Sequence, residues 1–122
     1  LEDAIGECTL AARSGGRFAS TRLLVTAAAA GDAAAQAVWE RSIRALATGL
    51  AGLINVLDPE TIVIGGGIAA AGDALFEPLR REVAAREWRV GDASVPIVPA
   101  VLGSGAGAYG AAFRARQEIS LS

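Results

Sequence analysis

The run Asp58-Pro59-Glu60-Thr61-Ile62-Val63-Ile64-Gly65-Gly66-Gly67-Ile68 constrains the fold more than any other part of this chain. Four consecutive β-formers, Thr61 to Ile64, stand between an Asp-Pro stop and a triple glycine. Such a run reads as a short strand buried on both faces, the core of a sheet. Glycines leaving the C-terminal end of a strand let backbone approach something closely, and in open α/β sheets ligands sit at that end. A plain turn linking strand to helix accounts for the same three residues, so both readings stand at this point.

The flanking sequence says what surrounds that strand. Leu1 to Ser14 carries Ile5, Cys8 or Thr9, and Ala12 at helical spacing, and Gly15-Gly16 ends it, which predicts a first helix with Cys8 as a small buried hydrophobe. Thr21 is placed to cap a second helix over Arg22 to Ala30, closed by Gly31. Asp32 caps the longest element. There Val38, Trp39, Ile43, Leu46, Leu50, Leu53, Ile54 and Leu57 recur every three or four residues as far as Pro59, a helix of about 25 residues and roughly 38 Å. Gly49 and Gly52 inside it each cost roughly 1 kcal/mol against alanine, which suggests that another backbone packs close there.

After the strand, Leu75, Phe76, Leu79 and Val83 mark an inner helical face. Pro78 predicts a turn over Asp73 to Phe76 and a regular helix beginning at Pro78 and running to about Glu87. Trp88 to Ser94 reads as a loop. Val95 to Val98 reads as a second strand, moved toward a sheet edge by Pro96 and Pro99. Ala100 to Gly107 is a small-residue loop, Ala108 to about Gln117 a last helix with Phe113 inward, and Glu118 to Ser122 a fraying tail. Strand, helix, strand, helix is a βαβα unit preceded by three helices, with parallel strands. Two strands are few for a parallel sheet, so residues 1–122 read as a single partial domain whose apolar surface predicts self-association.

Composition narrows the function classes. The chain has 122 residues, 52% of them apolar, a net charge of −2, and arginine as its only basic residue. No basic cluster suits a direct nucleic-acid contact, and Arg80-Arg81 reads as a solvated helix face. No apolar run approaches the ~18 residues of a membrane span and no signal-peptide pattern is present, which points to a cytoplasmic protein. With one cysteine and no histidine, no metal site is predicted from this segment. Gly105-Ala106-Gly107-Ala108-Tyr109-Gly110 matches the dinucleotide fingerprint, but the acid-bearing strand that must follow has no room before Ser122. The plainer reading is a helix packed tightly through small residues. Asp58, Glu60 and Asp73 sit at element ends, where caps and turns account for them, so no catalytic residue is assigned.

Taken together, Arg44 to Gly67, Val95-Pro96-Ile97-Val98-Pro99-Ala100, and Leu102-Gly103 with Ala106 to Ala112 resemble the C-terminal lobe of the ROK family of sugar kinases and sugar-responsive transcriptional repressors. The resemblance implies part of an actin-like, ribonuclease-H-like ATPase fold, with nucleotide and sugar in a cleft between two α/β lobes. It implies a nucleotide-binding role for Gly65, Gly66 and Gly67 as the adenosine-binding turn. It also implies a sugar contact for Glu2, because Leu1-Glu2 resembles the end of the family's G-C-L-E motif. The N-terminal lobe, with its phosphate loop, catalytic aspartate and zinc ligands, has no counterpart here. ATP and Mg²⁺, and a structural zinc, are therefore expectations for a longer parent, as is a homo-oligomer. The intact triple glycine favours a kinase and Ser104-Gly105 counts against one, so the repressor alternative stays open; a repressor needs a helix-turn-helix that this chain does not show.

Overall fold

The computed structural model describes residues 2–88 and 94–120. Its centre is the long helix α4, Ala33–Leu57, which buries Val38, Trp39, Ile43, Leu46, Ala47, Leu50 and Ile54 against α3 (Thr21–Ala29) on one side and α5 (Asp73–Ala84) on the other. Two strands, β1 (Ile62–Ile64) and β2 (Ile97–Pro99), pair in parallel with Ile62 opposite Ile97 and Ile64 opposite Pro99. Two short helices, α1 (Glu2–Ile5) and α2 (Leu10–Arg13), precede this core, and α6 (Ala106–Ser120) follows it. The βαβα order and the parallel pairing agree with the sequence pattern.

Capping chemistry sets the start of α4. The Asp32 carboxylate accepts the Ala35 N–H at 2.9 Å and pairs with Arg17 at 2.8 Å. The Ala35 hydrogen bond, and after it Arg17, outweigh desolvation and hold this carboxyl below its ordinary 3.8. A carboxyl depressed by folding stabilises above its unfolded value and loses that contribution as pH falls through the folded one. The melting-temperature gap between the native chain and Asp32→Ala is accordingly expected to be open at neutral pH and to close below 3.8, measured by circular dichroism across a pH series. At the other end Asp58 takes a left-handed conformation, φ 42°, which Asp tolerates better than most residues and which turns the chain into β1.

Several expectations need correction. The first helix is broken at Gly6, whose ψ of 145° is extended, so α1, a 3₁₀ turn (Glu7–Thr9) and α2 replace it. The break shifts the helical register: Leu10 is fully buried, whereas Cys8 and Ala12 are exposed. Ser20, not Thr21, caps α3, accepting the Leu23 N–H at 3.3 Å. Leu53 and Leu57 lie outside, 52% and 68% exposed, and nothing on the described residues comes within 4 Å of a Cβ built at Gly52. Val63 is 62% exposed, so β1 is covered on one face and open on the other. Phe113 is exposed on α6, which begins at Ala106 and continues to Ser120. The loop expected over Trp88 to Ser94 lies partly outside the described residues, as do the last two positions of the tail.

The most instructive difference is Pro78. α5 runs unbroken through it, and the reason is a substitute donor. Proline has no N–H for the carbonyl four residues back, here that of Ala74. The indole N–H of Trp39 on α4 donates to that carbonyl instead, at 3.0 Å. Arg80, expected in solvent, reaches back over Phe76 and donates through Nε and Nη2 to the Ile97 carbonyl of β2, at 3.1 and 2.9 Å.

Candidate functional site

Strand β1 delivers the chain into the triple glycine, and two of the three have a geometric reason to be glycine. Gly66 has φ 77° and ψ −169°, a conformation closed to β-branched residues. A Cβ at Gly65 would stand 3.3 Å from that of Ala100, where the chain leaves β2, so a side chain would push the strand ends apart. Gly67 then opens a 3₁₀ turn, Gly67–Ala71, and its Cβ position faces open space. All three glycines are exposed. A bare backbone surface is what such a sequence leaves at the end of a strand.

That surface borders a groove. Between α3 and the 3₁₀ turn lies a cavity of about 410 Å³ lined by Thr21, Arg22, Val25, Thr26, Gly67, Ala70 and Ala71. The volume falls in the range of small-ligand sites, roughly 300–1,000 Å³. Its walls are mostly apolar with hydroxyls and one cation at the rim, and no acid lines it. On α3, Leu24 and Ala28 face the core while the lining residues fall at i, i+1, i+4 and i+5, a second stripe on the same helix. Sequence reasoning missed this wall. The only signal was that stripe, and residues as ordinary as threonine and valine do not distinguish a groove from a surface.

The other candidates do not join this site. Gly105 meets the Tyr109 ring, but a Cβ at Gly107 or Gly110 would touch nothing within 4 Å, so the tight packing expected of the glycine-rich helix start is not present among the described residues. Glu2 opens α1, and its side chain lies outside the described residues. Arg13 ties the N-terminal segment to the core, donating to Thr9 Oγ1, Ser42 Oγ and the Gly6 carbonyl at 3.3, 2.6 and 3.0 Å. Desolvation, and then the charge of Arg41, lower its pKa from the ordinary arginine value, though it remains a cation. A zinc site does not fit a chain with one cysteine and no histidine.

Comparison with known proteins decides the family. The ROK family model matches residues 2–118. The chain belongs to the ROK family. Its similarity to the glucokinase of Halalkalibacterium halodurans is 38% identity over 94 residues, 76% of this chain and 28% of that enzyme. It is 37% identical over 98 residues to the N-acetyl-D-glucosamine kinase of Pasteurella multocida, covering 80% of this chain and 31% of that protein. It superposes with a TM-score of 0.75 and 26% identity on a ROK glucokinase from Streptomyces griseus solved with glucose and AMPPNP, covering 95% of this chain and 44% of that one. This ROK chain thus spans less than half the length of these proteins. Its mixed helix and strand fold is that of structural neighbours among the ROK sugar kinases, which belong to the actin-like ATPase fold family. No helix among its described residues is long and apolar enough to cross a membrane.

Proposed function

We propose that this chain is the C-terminal portion of an ATP-dependent ROK sugar kinase and forms the adenosine side of its cleft. The observation that carries this is the adjacency of Gly65 to Gly67, a backbone surface that tolerates no side chain at Gly66, and the 410 Å³ groove that Gly67 helps to line. The groove is the right size for a nucleoside, its apolar wall from Val25 to Ala71 suits a base, and the Thr21, Arg22 and Thr26 side chains suit a polar rim. The kinase reading, over the repressor, is supported by relatives named glucokinase and N-acetyl-D-glucosamine kinase.

In such an enzyme ATP supplies a γ-phosphoryl group for a sugar hydroxyl, with Mg²⁺ neutralising the phosphates. The residues of this chain bind and orient. They hold the adenosine end, exclude water from the base, and leave the general base and the metal ligands to the rest of the parent, since no acid lines the groove. Glu2 is assigned to the sugar through its resemblance to the family motif.

The test is Gly66→Val in the full-length kinase. A branched side chain at φ 77° both strains the turn and fills the space against the adenosine. ATP affinity is expected to fall at least tenfold, about 1.4 kcal/mol, with sugar affinity unchanged, in separate calorimetric titrations of a variant shown to be folded. A coupled assay of the isolated chain with ATP and hexoses is expected to show no phosphoryl transfer. Unchanged ATP affinity, or parallel loss of both affinities with thermal stability, returns the glycines to a purely structural role.

A further inference from the structure

The groove between α3 and the 3₁₀ turn divides by burial into two kinds of surface. Val25 and Ala71 are half-buried and pack against the core, so they form its apolar part. Arg22 and Thr26 are exposed and stand at its rim beside the half-buried Thr21. A planar base gains most by laying its faces on the apolar part, where they leave water, and this gives its edges to the rim. Bases differ at their edges. The rim therefore decides which base is held.

That rim is rich in donors. The Arg22 guanidinium carries five N–H groups and no acceptor, and it is always charged. Arg17, Arg44, Arg80 and Arg86 pair with Asp32, Glu40, Glu77 and Glu82, whereas Arg22 makes no ion pair among the described residues. Its donors stay uncommitted. The Thr21 and Thr26 hydroxyls rotate to donate or to accept and favour neither pattern, and no lining side chain is an acceptor alone. Guanine and hypoxanthine present two neighbouring acceptors, N7 and O6, which a guanidinium meets with two parallel N–H groups. Adenine keeps N7 but replaces O6 with an amino group. Against Arg22 that amino group sets donor against donor.

We propose that Arg22 reads the 6-position of the base and that the groove takes the 6-oxopurine nucleotides ITP and GTP at least as well as ATP. The inference rests on the groove being the nucleotide site, and it names the donor class that this site accepts. Gly67 meets the groove without a side chain and admits both kinds of purine alike.

ATP and ITP differ only at position 6 and in the N1 proton that goes with it, which makes them the deciding pair. Calorimetric titration of ATP, ITP and GTP into the full-length kinase is expected to give ITP and GTP dissociation constants no more than threefold above that of ATP. Arg22→Met removes the donors and keeps much of the stem. It is expected to weaken ITP and GTP at least fivefold and ATP less than twofold. Arg22→Gln places an acceptor beside a donor, the pattern that adenine requires, and should make ATP bind more tightly than ITP. Arg22 is exposed, so both variants keep the fold, a point checked by circular dichroism. ITP binding more than threefold weaker than ATP in the native protein overturns the proposal. So does an Arg22→Met loss no greater for ITP than for ATP, which puts the guanidinium on the ribose or the phosphates. Gly66→Val separates the two levels of the argument. If it weakens ATP while ITP fails these tests, only the base preference falls; if no nucleotide responds to it, the groove reading falls and this proposal with it.

Discussion

Trp39→Ala is expected to destabilise the chain by about 3–5 kcal/mol, enough to consume much of the roughly 5–15 kcal/mol available to a domain. The side chain is 7% exposed and sits at the α4–α5 contact, so its loss opens a large cavity. It also strands the Ala74 carbonyl, which has no donor from the helix ladder because residue 78 is proline. The two parts separate in a double-mutant cycle. Trp39→Phe keeps most of the volume but removes the N–H, and is expected to cost about 1–3 kcal/mol. In a Pro78→Ala background the helix can bond the Ala74 carbonyl itself, so the same change should cost at least about 1 kcal/mol less. Urea unfolding of the four proteins measures the coupling, and an identical cost in both backgrounds would show that the indole N–H has no such role.

A second large effect separates neighbours on one helix. Ile54 is 2% exposed and Leu53 52%, although both fall within the apolar spacing of α4. Ile54→Ala is expected to cost about 2–5 kcal/mol. Leu53→Ala and Leu57→Ala are each expected to stay within about 0.5 kcal/mol. Chemical denaturation of the three variants decides whether the last turns of α4 bury the face seen here.

These neighbours also show how far the sequence could be read. Periodicity located α4, its Asp32 cap and its length, because an apolar repeat of three to four residues sustained over many turns is the mark of one buried helix face. It could not say where along the stripe the burial stops, since Leu53 and Leu57 obey the same spacing as Leu46 and Leu50. Gly6 carried no clear signal of breaking the first helix, and that one extended residue moved Cys8 outside and Leu10 inside. Pro78 misled for a different reason. The rule against proline inside a helix concerns an orphaned carbonyl, and the donor that satisfies it comes from a residue far away in sequence. Of the candidate site, the glycine turn was legible because backbone angles restrict residue choice, whereas the α3 wall of the groove exists only once two elements are packed together.

Helix α6 carries a consequence for dynamics. Every side chain described on it from Ala106 to Gln117 is exposed, and its main support is the short turn at Gly103–Gly105. A helix of that length, with Gly107 and Gly110 inside it, is marginal on its own in water. Its hydrogen bonds therefore open by local fraying, on the submicrosecond scale of helix–coil exchange, without waiting for the α3–α4–α5 core to unfold. The helix is in effect a thermometer for its own docking: any surface that comes to cover it must first offset the cost of ordering it, and will reveal itself by slowing that exchange.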